Sequence, residues 1–417
     1  MKFAHLADTH LGRQRDTKLR EIEKRIFQNT VDEILKRDVN FILIAGDFFD
    51  VNIPDMEIQQ FAFEQLKKIK DRDIPIYVIY GSHDFSPVSK SAIDLLNSAG
   101  FFTKITYTDD EEGKIKLNFF TDPKTNVKIT GLPGLKAGKD ITYYEQLDRE
   151  SLESETDFKI FMFHGGINEM ITDNMPEADF MPLSLLPKNF DYYAGGHMHK
   201  FSKRSYPDYT NIVYPGTLFS GWSGDFKDNA NGQKRGFVLV EFNKKIEKVE
   251  FIEVPNIDYA LIEIDAKNKK ATSVDAEIRT EIKEIDVKEK LVILNIDGEL
   301  SEGKTTDIDF LQIKDELSKE KPIAVLINRN KLTSREYSIT TTKGSNKAEV
   351  ETNIFKENIG QLALEEKKLL NEVGVTTAKT LLTKLGQPKL DNEKNSEYEK
   401  RIDEEVFEIL EIDVNDS

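Results

Sequence analysis

The chain has 417 residues, of which 38% are hydrophobic and 32% charged, enough for two to four domains with buried cores. Its 58 Lys and Arg against 75 Asp and Glu give a net charge of −17, which argues against a generally basic, polyanion-coating protein but leaves room for a local basic groove. Because the sequence contains no cysteine, disulfides and thiolate metal sites are excluded.

Membrane insertion is not expected either. The N-terminal stretch MKFAHLADTH has no apolar signal core, and no segment approaches the roughly 18 consecutive apolar residues of a membrane span. We therefore expect a cytoplasmic protein without a membrane partner.

Apolar, β-rich runs recur through residues 1–254, and helical patterns lie between the early ones at 18–37, 55–71 and 88–99. Strands that alternate with helices predict an α/β fold. Because the later strands come with fewer helices, we expect a two-sheet β-sandwich flanked by helices. The predicted strands are KFAHLA, FILIAG, IPIYVIYG, VKITGLPG, FKIFMFHGG, DYYAGG, NIVYPG and RGFVLVEF.

Two further units are predicted after this one. Residues 255–335 contain three strand patterns and a helix near 307–319, which indicates a small α+β domain. Residues 336–356 are polar and weakly patterned, as in a linker. Residues 357–417 are helical in character and end in an acidic stretch. This tail is either a self-contained helical bundle or a module that binds a partner through one apolar face.

The histidines mark the candidate site. All six fall within the first 200 residues, and five of them lie at or just beyond the ends of predicted strands, where α/β folds build their sites. His5, inside the first strand, is interpreted as a core residue. Imidazoles and carboxylates without thiolates suit Mn, Fe, Zn or Mg. A shared Asp47 could bridge two ions about 3.5–4 Å apart. The pairs are Asp8-x-His10, Gly46-Asp47, His83-Asp84, His164-Gly165 and His197-x-His199.

These patterns carry a family resemblance. HLADTHLG, FILIAGDFFD, YGSHDFSP, FHGGINE, FDYYAGGHMHK and IVYPGTL resemble the calcineurin-like metallophosphoesterases. Within that class they are similar to the SbcD-type DNA double-strand-break repair nucleases, the meiotic-recombination-eleven family, in an archaeal style. The resemblance covers residues 1–255. NIDGELSEG in the second unit is similar to the capping domain of that family, and the helical tail stands where the family docks a coiled-coil ABC-type ATPase of the SbcC type.

The resemblance implies two Mn²⁺ ions, with Mg²⁺ a weaker alternative. It implies a 3′-to-5′ exonuclease on duplex ends and an endonuclease on single strands and hairpins, in a homodimer located at the nucleoid when DNA is broken. His83 would stabilise the transition state or protonate the leaving 3′ oxygen, oriented by Asp84. The metal positions would be Asp8, His10 and His199 for one ion, His164 and His197 for the other, Asp47 between them, and Ser82 at a further ligand position.

Two positions depart from the family pattern. Ser82 stands where the family carries an Asn that supplies an amide oxygen to the second ion. A hydroxyl on a shorter side chain is a weaker ligand, so we expect lower affinity at the second site rather than its loss. Asp50 stands where many relatives carry a His, which leaves the balance of exonuclease to endonuclease activity open.

Candidate contact surfaces follow from charge and from the resemblance. Basic residues beside the site could hold a DNA backbone without reading its sequence. The helices at 55–71 and 88–99 could form the dimer contact. The residues are Arg13, Arg15, Lys18, Arg20, Lys200, Lys203 and Arg204 for DNA; Phe61, Phe63 and Leu66 for the dimer; and Ile359, Leu362, Leu369, Leu370, Leu381, Leu382 and Leu385 for the ATPase.

Two other functions stay open. One is a small-substrate metallophosphoesterase, yet protein phosphatases of this superfamily follow Gly-Asp with Asp-Arg-Gly and end the next motif in His-Glu. GDFFDVN and GSHD show neither pattern, which favours the nuclease. The other is a catalytically weakened scaffold that tethers the ATPase to DNA through the tail.

Overall fold

The computed structural model describes residues 1–86, 90–109, 113–135, 140–171, 180–335, 371–387, 389–390 and 395–410, together with 352, 355, 356, 359 and 369. The chain divides into two compact units, Met1–Tyr259 and Ala260–Ser417. The division falls close to the predicted boundary at residue 254. The predicted linker, 336–356, lies almost wholly outside the described residues, so the finer division of the second unit stays a prediction.

In the first unit, strands and helices alternate over the first hundred residues, and strands dominate afterwards. The elements are β1 (Lys2–Leu6), α1 (Thr17–Leu35), β2 (Phe41–Ala45), α2 (Met56–Lys70), β3 (Ile76–Ile79), α3 (Ala92–Ser98), β4 (Thr103–Lys104), β5 (Tyr107–Asp109), β6 (Ile115–Leu117), β7 (Phe120–Thr121), β8 (Lys128–Leu132), α4 (Asp140–Glu145), α5 (Arg149–Glu153), β9 (Lys159–His164), β10 (Gly166–Ile167), β11 (Phe180–Met181), β12 (Tyr192–Gly196), β13 (Ser202–Tyr206), β14 (Tyr209–Tyr214), α6 (Ser223–Ala230), β15 (Gly236–Phe242) and β16 (Ile246–Glu253).

Two six-stranded sheets form the body of this unit, in the orders β16-β15-β1-β2-β3-β4 and β13-β14-β12-β9-β8-β7. The neighbours β1, β2, β3 and β4 pair in parallel, as do β8, β9, β12 and β14. Strands buried on both faces carry continuous apolar runs such as FILIA, which is typical of parallel sheets covered on both sides. The predicted α/β sandwich is confirmed.

The core between the sheets is built from side chains of both. Phe3 and Phe41 of one sheet stack with ring centroids 5.0 Å apart, and Tyr192 of the other meets Phe3 edge-on at 5.1 Å. These three side chains are almost completely buried. Burial of such large rings contributes roughly 1.5–3 kcal/mol each, so this contact holds the two sheets in one arrangement.

Side-chain caps set where the flanking helices begin. Asp16 accepts hydrogen bonds from the amides of residues 18 and 19 at the start of α1, and Asp55 accepts one from Ile58 at the start of α2. Ser91 forms a capping box with Asp94, so α3 begins at Ala92, later than the pattern over 88–99 predicts.

The second unit contains β17 (Tyr259–Asp265), α7 (Ala271–Glu284), β18 (Leu291–Leu300), α8 (Phe310–Lys319) and β19 (Ala324–Ser334). The strands form one sheet in the order β17-β18-β19, with β18 and β19 parallel. Ile278 of α7 and Ile313 of α8 are buried in its core. The sequence predicts the strands and α8 but not α7, whose apolar positions are diluted by Glu, Asp and Lys.

The described part of the tail is a pair of helices, α9 (Asn371–Leu385) and α10 (Asn395–Leu410). Lys384 pairs with Glu405 at 3.0 Å, and the Tyr398 hydroxyl donates to the carbonyl of Gln387. Leu382 and Leu385 are 51% and 55% exposed. Among the other residues predicted to bind the ATPase, Ile359, Leu369 and Leu381 are half-buried, and Leu362 and Leu370 lie outside the described residues.

One predicted dimer residue is wrongly assigned. Leu66 on α2 is 1% exposed and belongs to the core of its own unit. Phe61 and Phe63 are half-buried against Phe27 and Phe101, at centroid distances of 6.1 and 5.3 Å. Apolar residues at helical spacing serve a core or an interface equally well, and here most of α2's apolar face packs inward.

Among the helices of the described residues, none combines the length and apolarity that a membrane span requires.

Candidate metal centre

Eight predicted residues converge because their strands are parallel and end at one edge of the sandwich. Asp8 and His10 follow β1, Asp47 follows β2, and Ser82 and His83 follow β3. In the other sheet His164 ends β9, and His197 and His199 follow β12. Carboxyl ends of neighbouring parallel strands lie together, so the loops of both sheets meet at the same place.

The backbone at this edge is unusual. Asp8, His10, Asp47 and His197 have φ of +51°, +45°, +51° and +92°, values that side-chain-bearing residues rarely adopt. Each such residue costs about 1–3 kcal/mol, and such costs concentrate at functional sites.

One group brings together Asp8, His10 and His199, each with a ligand atom within 4.8 Å of the others. The Nε2 atoms of His10 and His199 face each other at 3.3 Å. His199 Nδ1 lies 2.8 Å from the carboxylate of Asp225, and a carboxylate can only accept, so Nδ1 carries the proton. The Nε2 of His199 therefore presents a lone pair to His10.

A second group contains Asp8, Asp47 and His164. His164 Nδ1 donates to the carbonyl of Ala45 at 2.8 Å, which leaves its Nε2 as an acceptor 3.2 Å from an oxygen of Asp47. Asp47 also lies 3.8 Å from His10 Nε2, so it stands between the two groups. The His197 ring lies beside His164 at a centroid distance of 5.5 Å, and its amide donates to both oxygens of Asp8.

A divalent metal fits these residues. The buried Nε2 of His164 has no hydrogen-bond partner among the described residues, although it faces a carboxylate. A lone pair and an anion at 3.2 Å repel unless a proton or a cation lies between them. Imidazole and carboxylate ligands suit a divalent ion, and the second hydrogen bonds that orient the His164 and His199 rings are typical of metal sites.

The electrostatics of Asp47 and His164 also favour a positive charge at this place. Burial alone would raise the pKa of Asp47, but the charges of His164 and His10 hold it well below its usual range. Burial alone would lower the pKa of His164, but the charge of Asp47 raises it to about 10. Both shifts favour a positive charge between the two side chains.

His83 is held differently from the prediction. Its Nδ1 donates to the backbone carbonyl of Asp50 at 2.7 Å, and its amide donates to Asp47 at 2.8 Å. Nδ1 therefore carries the proton in the neutral ring, and Nε2 is the atom available for chemistry. The carboxylate of Asp50 lies 3.6 Å from His10 Nδ1 and 3.7 Å from His83 Nδ1. Asp50 is thus a common support of both rings.

The expectation that Asp84 orients the His83 ring is wrong. The buried Asp84 carboxylate accepts from the amides of Phe48, Phe49 and Gly81, each at 3.1 Å. These contacts brace the loop after β2 against the turn after β3. Burial raises the pKa of Asp84 to about 7. Asp84 acts on His83 only through the backbone of the turn that both residues share.

The sequence motifs gave no sign of one supporting pair, Asp225 and Arg235. Asp225 is buried on α6 and, besides His199, accepts from the amides of Gly221 and Trp222 at 2.9 and 3.1 Å. The buried Arg235 donates to Asp225 and to the backbone carbonyl of His199. Its partners lower the pKa of Asp225 against the opposing effect of burial. The available signal was weak: an Arg directly before the apolar run of β15.

The predicted DNA contacts are distributed around this edge. Arg13 is exposed and reaches Asp50 at 3.4 Å, and Arg15, Lys18, Lys203 and Arg204 are also exposed. Lys200 pairs with Asp228 at 2.9 Å. Arg20 pairs with Asp55 and Glu57, so its charge is already compensated. Ser82 is half-buried between Gly81 and His83, both of which contact Asp47.

Comparison with known proteins agrees with this geometry. Residues 1–201 match the family model described as calcineurin-like phosphoesterase. The chain is 29% identical to the DNA double-strand break repair protein Mre11 of Methanococcus maripaludis, over 64% of this chain and 71% of that one. The Sulfolobus acidocaldarius Mre11 is 28% identical over 72% and 75%, and the Sulfurisphaera tokodaii Mre11 is 32% identical over 48% and 49%.

Residues 1–201 carry a calcineurin-like phosphoesterase domain, the domain of a metal-dependent hydrolase. Within that class the similarity to several archaeal Mre11 proteins, at 25–32% identity, supports an Mre11, or SbcD-type, nuclease.

We expect Asp225→Asn to weaken both folding and metal binding. The substitution leaves Arg235 buried without its counter-charge, which costs roughly 3–5 kcal/mol. It also removes the acceptor that fixes His199, a loss typically equivalent to about 10–100-fold in metal affinity. Urea unfolding followed through Trp222 fluorescence, and calorimetric titration with Mn²⁺, measure the two effects.

Asp228→Asn on the same helix is the matched control. Asp228 pairs with Lys200 near the surface, so we expect a loss of no more than about 1 kcal/mol. Equal behaviour of the two variants would contradict the supporting role of Asp225.

Proposed function

We propose that the chain is a DNA double-strand-break repair nuclease that hydrolyses phosphodiesters at a two-metal centre. One observation carries the proposal: two ligand groups share Asp8 and are linked by Asp47, which lies 3.8 Å from His10 and 3.2 Å from His164. A shared carboxylate between two sets of ligands is the arrangement that clamps a phosphate between two ions. The names of the archaeal relatives support DNA as the substrate.

In this proposal Asp8, His10 and His199 hold one ion, and His164, His197 and Ser82 hold the other, with Asp47 between them. Mn²⁺ is the proposed ion, with Mg²⁺ binding more weakly. Two such ions lower the pKa of a water and neutralise charge on the phosphate. The protein's contribution is to keep the ligand lone pairs pointed inward, through Ala45 and Asp225, before any ion arrives.

His83 is the proposed general acid. In the protonated ring, Nδ1 remains on the carbonyl of Asp50 and Nε2 donates to the 3′ oxygen as it leaves. The Asp50 carboxylate also lies 3.7 Å from Nδ1, so the carbonyl and the carboxylate of one residue face the same ring nitrogen. The ring then keeps one orientation in both protonation states, which proton transfer at a fixed position requires.

The exposed basic residues around the centre would hold the phosphates of the strand. Arg13, Arg15 and Lys18 lie on one side, and Lys203 and Arg204 on strand β13. Contacts to phosphate position a strand without reading its bases, so the proposed cleavage is selective for DNA structure rather than sequence. We propose 3′-to-5′ exonuclease action on duplex ends and endonuclease action on single strands and hairpins.

The tail is proposed to bind the coiled-coil ABC-type ATPase. Leu382 and Leu385 on α9 are large apolar side chains that remain more than half exposed. Apolar positions at i and i+3 on an open helix are typical of a helix that packs into a partner. Leu381, Ile359 and Leu369 are half-buried and would line the edge of that surface.

We expect wild-type protein to lose activity, but not DNA binding, on substitution of His83 by Asn. Asn keeps a donor for the Asp50 carbonyl and removes the proton that the ring delivers, so cleavage should fall roughly 10²- to 10⁴-fold. The measurement is Mn²⁺-dependent degradation of an end-labelled blunt duplex by protein first stripped of metal, with Mn²⁺ binding checked by calorimetry.

The possible outcomes separate the candidate functions. Degradation by wild type that disappears in the variant, with Mn²⁺ still bound, supports the nuclease. An inactive wild type that binds DNA and stays inactive with the ATPase added would favour the scaffold. Hydrolysis of small phosphodiesters but not of DNA would favour a small-substrate phosphoesterase.

Ser82→Asn should tighten the second Mn²⁺. The amide oxygen of Asn reaches farther than the Ser hydroxyl, and one added ligand contact of about 1.4 kcal/mol corresponds to roughly tenfold in affinity. Two-site calorimetric titration of wild type, Ser82→Asn and Ser82→Ala measures the change. An unchanged second site in the Asn variant would show that residue 82 is not a ligand.

We propose a homodimer built around α2 and α3. Ile53 and Met56 at the start of α2 and Leu95 on α3 are 61%, 77% and 52% exposed, although each is a large apolar side chain. Light scattering at micromolar concentration should give twice the mass of one chain, and Met56→Glu should shift it toward one chain. A single-chain mass for wild type would exclude this dimer.

A further inference from the structure

Trp222 is the only tryptophan of the chain, and its side chain is 56% exposed beside the candidate metal centre. Tryptophan is highly buried on average, because its ring is the largest apolar side chain. A solvent-exposed indole next to a candidate catalytic site therefore indicates a surface that a ligand covers.

The position of Trp222 is fixed by the centre itself. The preceding residue, Gly221, packs so closely on the site that a Cβ there would stand 2.5 Å from Cδ2 of His10 and would also collide with His199. The Trp222 amide donates at 3.1 Å to Asp225, the carboxylate that also holds His199. The residue that carries the exposed indole is thus fixed next to the candidate metal centre.

The backbone and ring of Trp222 are ordered before any ligand binds. Its carbonyl accepts from the Ser220 hydroxyl at 2.8 Å and from the Asp225 amide at 3.2 Å. A Cβ on Gly224 would stand 2.5 Å from Cζ2 of the indole, so the ring leans on a bare stretch of backbone at the start of α6. A supported, preorganised ring loses little entropy when a flat partner covers it.

We propose that Trp222 is a stacking platform for an unpaired nucleobase of the strand whose phosphate enters the metal centre. The proposal rests on the proposed nuclease function and deepens it by naming the substrate form. Base-paired nucleotides within a duplex have both faces covered by neighbours, so only a single-stranded, frayed or extruded base can lie on the indole. Aromatic stacking is tolerant of sequence, in keeping with phosphate-directed binding.

A nucleobase is the occupant that the surroundings favour. The indole follows Gly221, whose backbone packs against the rings of His10 and His199. A strand whose phosphate lies at these two histidines therefore brings its own bases next to the exposed ring, and every base has a face that can stack on it.

Because the chain has one tryptophan, its fluorescence reports on this residue alone. Full-length protein is titrated, with and without Mn²⁺, with a cleavage-resistant phosphorothioate oligothymidylate, with an abasic strand of the same length, and with a blunt duplex. We expect strong quenching by the oligothymidylate and little by the other two. Equal quenching by the abasic strand would overturn base stacking, and equal quenching by the duplex would overturn the preference for an unpaired base.

Variants give a second readout through the anisotropy of a labelled oligothymidylate. We expect Trp222→Ala to weaken its binding about tenfold and Trp222→Phe to restore most of it, because stacking needs a ring rather than an indole. Leu311→Ala, at a 73% exposed apolar position of the second unit, is the matched control and should bind like wild type. Unchanged binding by Trp222→Ala would overturn the proposal.

Failure of the nuclease function would look different. Quenching by the single strand without Mn²⁺-dependent hydrolysis of any DNA would leave the stacking platform standing and remove the nuclease. Hydrolysis with no quenching and no effect of Trp222→Ala would keep the nuclease and remove the platform.

Discussion

Two carboxylates, Asp8 and Asp47, are buried almost completely at the meeting point of two sheets, and the arrangement of the site follows from their need for positive charge. An isolated carboxylate in such a place would cost many kcal/mol and would take up a proton instead. Here imidazoles surround the pair, and the outer nitrogens of His164 and His199 are held by a carbonyl and a carboxylate. The folded protein therefore attracts cations to this site before any ion binds.

The sandwich makes this site possible because it brings together the carboxyl ends of the parallel strands of both sheets. Each sheet contributes loops of its own, so ligands that are far apart in the sequence meet without a long excursion of the chain. The cost appears in the backbone, where Asp8, His10, Asp47 and His197 occupy left-handed conformations. The hydrogen bonds that pass between the loops, such as those from the amide of His197 to Asp8, offset that cost.

That the residues of the candidate metal centre lie together could be predicted from sequence, because they stand at or just after the ends of apolar strands, a local signal. Asp225 and Arg235 could not, since their importance lies in contacts with His199 made across 26 and 36 residues. Asp84 was recognised but given the wrong contact, because adjacency to His83 in the sequence conceals that its carboxylate points to the opposite side. The prediction that Leu66 lies in a dimer interface was wrong for another reason. Its helical spacing fits a core and an interface equally well.

The brace made by Asp84 has a consequence for how this family can diverge. The turn after β3 is held through the amide of Gly81, the amide of His83 and the carboxylate of Asp84, and all three contacts reach the loop after β2 or the turn itself. The shape of the turn thus does not depend on which side chain stands at residue 82. Exchange of that residue therefore costs little in folding, so the proposed ligand at this position can change while His83, the proposed catalytic histidine, keeps its place.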